Sequence, residues 1–75
     1  MGSKYPVMKS SEIIKILKKM GFVFKYQKGS HARYVKVGEK TKTVTIPMHN
    51  EVDKGTLQSI LEQAEISLEE FLEQR

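Results

Sequence analysis

Met20-Gly21-Phe22-Val23-Phe24-Lys25-Tyr26-Gln27-Lys28-Gly29-Ser30-His31-Ala32-Arg33-Tyr34-Val35-Lys36-Val37 is the stretch in which the hydrophobic period of the chain changes. Up to Met20 apolar residues recur at helical spacing. From Phe22 they alternate, the period-two pattern of a strand with one face buried. Phe22, Phe24 and Tyr26 fall on one side and Val23, Lys25 and Gln27 on the other, so the first strand is expected to turn an aromatic face to the core. Gly29 can take the positive φ of a tight connection, and Ser30 can bond the turn backbone. In the second run Ala32, Tyr34 and Lys36 alternate with His31, Arg33, Val35 and Val37. Gly38-Glu39-Lys40 reads as a second turn, and Thr43 to Met48 as a third strand in which Val44, Ile46 and Met48 alternate with Thr43 and Thr45. Pro47 cannot donate a ladder hydrogen bond, so that strand is an edge or stops there.

Helical patterns flank these strands. Ser10 or Ser11 can cap a helix with Glu12 in its first turn, near the positive end of the dipole. Ile13, Ile16, Leu17 and Met20 form its apolar stripe, with Ile14 at the margin and Lys15, Lys18 and Lys19 opposite. After the loop Met48-His49-Asn50-Glu51-Val52-Asp53 and Lys54-Gly55-Thr56, the residues Leu57, Ile60, Leu61 and Ala64 predict a second amphipathic helix. Ser67-Leu68-Glu69-Glu70 matches a capping box, which predicts a short last helix anchored by Ile66, Leu68, Phe71 and Leu72. The expected class is α+β: a three-stranded antiparallel sheet in the order α-β-β-β-α, with the helices on one face and a short extra C-terminal helix. If Phe24, Tyr34 and Ile46 face the helices, parity gathers Lys25, Gln27, His31, Arg33, Thr43 and Thr45 on the opposite face.

With 75 residues and 39% hydrophobic content, there is room for one domain with a modest core. Residues 1–8 read as a lead and 9–75 as the domain. Met1-Gly2-Ser3 resembles an expression-tag remnant and lacks the apolar segment of a signal peptide. There are no cysteines, which excludes a disulfide framework and thiolate zinc sites and leans toward the cytoplasm. Apolar runs are far shorter than the roughly 20 residues of a membrane span, so no membrane association is expected.

The net charge of +4 hides an asymmetry. Residues 1–45 carry ten Lys and one Arg against two acids, or +9, whereas residues 46–75 carry two basic residues against seven acids, or −5. A basic half built around the Gly29-Ser30-His31 turn attracts polyanions, although lysines also simply solvate small surfaces. The acidic tail with Glu62, Glu65, Glu69, Glu70 and Glu73 reads as a solvated helical face. His31 is the candidate proton-transfer group, since imidazole titrates near neutrality. A lone histidine at a strand mouth is more often an ordinary strand residue, and the neighbouring Lys28 and Arg33 are what raise its interest. His49 is either an auxiliary acid or base or an organiser of the loop into the second helix. No metal site is expected, because His31 and His49 fall short of the three protein ligands of catalytic zinc.

The layout resembles that of double-stranded-RNA-binding domains. The ordered set Gly21-Phe22, Gly29-Ser30-His31 with Tyr34, Ile46-Pro47-Met48-His49, Lys54-Gly55-Thr56-Leu57 with Ile60-Leu61, and Ile66-Ser67 with Phe71 resembles the HicA family of bacterial toxins across residues 9 to 72. That resemblance implies a small mRNA interferase held inactive by a HicB-type antitoxin, with its catalytic histidine at His31. Glu65 departs from the pattern, standing where many relatives place glycine. On this reading RNA supplies its own 2′-hydroxyl nucleophile, His31 moves the proton, and Lys25, Lys28, Gly29, Ser30, Arg33, Lys36 and Lys42 hold the strand, with neither a metal nor another cofactor required. A non-catalytic RNA-binding module using the same basic face, or a purely structural domain, would share the composition.

Overall fold

Lys9, one residue before the serine pair, is the cap of the first helix. In the computed structural model, which describes residues 5–75, helix α1 spans Ser10–Lys19; its first turn is closed by the Glu12 carboxylate, which accepts from the Lys9 backbone N–H at 3.1 Å. Ser10 is itself buried, so it serves as a packed first-turn residue and the expected serine cap is not used. The Met1-Gly2-Ser3 segment lies outside the described residues.

Gly21, with φ +102°, ends the helix, and its successor Phe22 is buried. Strands β1 (Val23–Lys28), β2 (His31–Lys36) and β3 (Lys42–Pro47) follow as an antiparallel sheet in the order β1-β2-β3. Helix α2 (Lys54–Ala64) packs on β3, and α3 (Leu68–Glu73) closes against α2. Asp53 caps α2 by accepting from Thr56 N–H at 2.8 Å, and the Ser67/Glu70 capping box opens α3 as expected. Pro47 ends β3 at the sheet edge, as the missing N–H requires. At that edge the N–H of Thr45 is satisfied by the Gln63 side chain of α2, at 3.0 Å.

The core joins Ile13, Leu17, Phe22, Ala32, Tyr34, Val44, Ile46, Leu57, Ile60, Leu61 and Phe71 between the helices and one face of β2 and β3. Met8, from the segment read as a lead, is buried with them and bridges to Val52 through paired backbone hydrogen bonds.

The expected aromatic core face of β1 does not form. Phe24 is 53% exposed and Tyr26 44% exposed, and every residue of β1 is exposed. Two physical reasons account for this. The helices pack chiefly over β3, away from the far strand, and Phe24 packs edge-on against Tyr34, at 5.6 Å between centroids. In addition, the register runs Val23↔Val35, Phe24↔Tyr34 and then Tyr26↔Arg33, leaving Lys25 as an extra residue. This β-bulge reverses parity midway along the strand. Beyond it, Tyr26 and Lys28 share the face of Arg33 and His31, and Gln27 pairs with Ala32 on the helical side, opposite to its expected placement.

Candidate active site

The open face of the sheet is assembled from cross-strand neighbours, whose side chains project to the same side. Tyr26, Arg33 and Thr45 form one row, and Lys28, His31 and Pro47 the next. A two-residue connection, Gly29-Ser30, joins Lys28 to His31. Gly29 has φ +60° and is the one of the pair in the positive region, the arrangement of a hairpin turn with glycine first. The Gln27 side-chain amide donates to the Gly29 carbonyl at 3.0 Å, and the Ser30 carbonyl accepts from Met48 N–H at 2.7 Å. The turn that presents His31 is therefore pinned from both sides.

Tyr26, Lys28, Gly29, Ser30, His31, Arg33 and Thr45 line a solvent-open depression of about 500 Å³. His31 also borders a second depression of about 400 Å³, whose wall includes Thr45, Pro47, His49, Asp53 and Gln63. Both histidines thus face one hollow. The backbone of His49 is structural as well, because its carbonyl accepts from Ser10 N–H at 3.2 Å and anchors the start of α1. The Asp53 carboxyl in the same wall is held below its ordinary value by the backbone and side-chain hydrogen bonds of Thr56. Among the described residues no three His, Asp or Glu side chains converge.

The cations expected to act together divide into two groups. Lys28 and Arg33 stand with His31, and Lys25, on the bulge, has its Nζ 6.0 Å from the Tyr26 ring centroid. Lys36 and Lys42 pair with each other at the far end of the β2–β3 ladder, on the side of Tyr34 and Val44. There Lys42 Nζ lies 3.8 Å from Glu65, whose carboxyl is held low first by its 2.8 Å pairing with Lys40. The structure therefore gathers Lys28, Gly29, Ser30, His31 and Arg33, and leaves Lys36 and Lys42 across the sheet.

Tyr26 is the site-lining residue that the sequence pattern hid, since strict alternation assigned it to the core. The available signal was its position between Lys25 and Lys28, an unusual setting for a buried ring.

Among the described residues, no helix is long and apolar enough to cross a membrane. No curated relative matches the chain. The family model described as HicA toxin of bacterial toxin-antitoxin matches residues 10–66, from the first residue of α1 to two residues past the end of α2, and so takes in the whole sheet and the histidine-bearing hairpin. With that share of its length matched, and with the α-β-β-β-α-α order observed, the chain belongs to the HicA toxin family of bacterial toxin–antitoxin systems.

Proposed function

We propose that this toxin is a metal-independent endoribonuclease, an mRNA interferase of the cytoplasm, in which His31 transfers the proton. The observation that carries this reading is the position of His31: an exposed imidazole on a pinned hairpin, beside Lys28 and Arg33, on the sheet face that no helix covers. RNA brings the nucleophile. His31 takes the proton from a 2′-hydroxyl, the 2′-oxygen attacks phosphorus, and the 5′-oxygen departs with a proton, leaving a 2′,3′-cyclic phosphate and a free 5′-hydroxyl. Lys28 and Arg33 supply positive charge to the phosphorane, Arg33 with its planar fork of donors. Lys25 and the Gly29-Ser30 backbone hold the adjoining strand. His49, facing the same hollow, is the auxiliary group that protonates the leaving oxygen. The antitoxin, of the HicB type, neutralises the toxin by covering His31 and setting carboxylates over the basic face.

Incubating mixed mRNA with the purified protein in chelator, and mapping the product ends, tests this reading. The native protein is expected to cleave to cyclic or 3′-phosphate ends, and His31→Ala to lower the rate by about 10²- to 10⁴-fold while leaving RNA affinity within a few-fold. RNA bound by both proteins and cleaved by neither would replace the nuclease with a non-catalytic RNA-binding module.

A further inference from the structure

Tyr26 is an exposed aromatic ring in the same depression as His31. It stands in the cross-strand row adjoining His31, one two-residue step along the sheet, or about 7 Å. Arg33 Cζ is 5.9 Å and Lys25 Nζ 6.0 Å from its centroid. Both stand over the ring at the outer limit of cation–π attraction, about 6 Å, and so hold it loosely enough for a base to stack on it. Both are near enough to meet the phosphate of a base that does. The β-bulge at Lys25 is the device that brings the ring to this face, since without the parity reversal it would point to the helical side.

An apolar ring in a basic, water-exposed setting has no core to join. Its chemistry matches single-stranded nucleic acid, in which aromatic rings accept the π-face of an unpaired base and flanking cations follow the backbone. A base inside a duplex already has both faces stacked and offers none to Tyr26. Deepening the ribonuclease reading, on which this rests, we propose that Tyr26 is a base-stacking platform that seats an unpaired nucleotide beside His31, so that the toxin selects single-stranded over double-stranded RNA although its fold is laid out like a duplex-binding domain.

The test uses the full chain carrying His31→Ala, so that RNA is bound without being cut, with a labelled single-stranded 12-mer of mixed sequence and the same strand annealed to its complement. Adding Tyr26→Ala is expected to weaken single-strand binding about 10- to 100-fold, Tyr26→Phe to keep it within twofold, and duplex binding to change little in either. Tyr26→Leu, which keeps apolar bulk on an exposed strand, reproduces the loss and separates stacking from folding. Equal weakening of single strand and duplex, retention of affinity in Tyr26→Ala, or full loss in Tyr26→Phe would each overturn the platform. Cleavage by the His31-intact chain is scored separately. If that chain does not cut but Tyr26→Ala still loses single-strand affinity, the nuclease reading falls and the platform stands; cutting with unchanged affinity in Tyr26→Ala sinks the platform alone.

Discussion

Glu65 closes α2 in the left-handed region, with φ +59° and ψ +44°, and is the only non-glycine residue with positive φ among those described. The Ile66 N–H reaches back to the Leu61 carbonyl at 3.0 Å and the Glu65 N–H to the Glu62 carbonyl at 3.2 Å, the paired bonds of a Schellman ending whose left-handed position normally holds glycine. A β-carbon in that region costs the backbone about 1–2 kcal/mol. Glycine's greater freedom in the unfolded chain returns about 0.5–1 kcal/mol of this. The carboxylate is partly exposed and its partner Lys40 more so, so the ion pairs offset little in water. Glu65→Gly is therefore expected to stabilise by about 0.5–1 kcal/mol, a rise in Tm of about 2–8 °C for a domain of this size. Thermal unfolding followed by circular dichroism measures it, with Glu65→Ala as the control that removes the carboxylate and keeps the β-carbon. The expected order is Gly above Glu, with Ala slightly below Glu. A fall in Tm for Glu65→Gly would refute the strain and assign the stability of this corner to the pairs with Lys40 and Lys42, whereas equal gains for Gly and Ala would refute it by showing that the carboxylate itself destabilises the corner.

The division of the cations gives a second prediction: Arg33→Ala and Lys28→Ala should weaken RNA binding and each lower the slope of log affinity against log salt by about one, whereas Lys36→Ala and Lys42→Ala should leave both nearly unchanged in filter-binding titrations. Stability should also fall in acid. Thr56 hydrogen bonds lower the Asp53 carboxyl, Lys40 lowers that of Glu65, and Ser67 hydrogen bonds lower that of Glu70, from ordinary values of 3.8, 4.5 and 4.5. Groups lowered in the folded state leave the unfolded chain holding more protons, so their contribution is complete above the ordinary values and is lost as pH falls through the folded ones. Urea midpoints should thus decline below about pH 5, and the decline should flatten in Asp53→Asn combined with Glu70→Gln.

The helices, the turns and the order of elements were legible because each rests on local chemistry. The stripe of Ile13, Ile16 and Leu17 is buried as spaced, Ser67 and Glu70 form their box, and Pro47 ends β3. The hairpin that carries His31 was equally plain from Gly29. What alternation could not reveal was the bulge, because inserting Lys25 leaves the composition of β1 unchanged while reversing the sides of Tyr26 and Gln27. Nor could it show that the helical layer lies chiefly over β3, away from β1, which depends on how the helices pack and not on any residue within β1. Lys36 and Lys42 were grouped with the site on charge alone; their parity with Tyr34 and Val44 already set them on the other face.

The two edges of the sheet are guarded in different ways. β3 has its Thr45 N–H taken by Gln63 and ends at a proline, but among the described residues nothing pairs with the outer side of β1, which carries Val23, Phe24 and Tyr26 in the open. An unpaired edge with apolar side chains is a template for chain-to-chain stacking into aggregates. Lys25 works against it twice, by kinking the ladder and by placing a charge within the strand, and Lys28 adds another at its end. The residue that turns Tyr26 outward thus also acts as a gatekeeper, keeping a small basic chain dispersed when no second protein covers its edge.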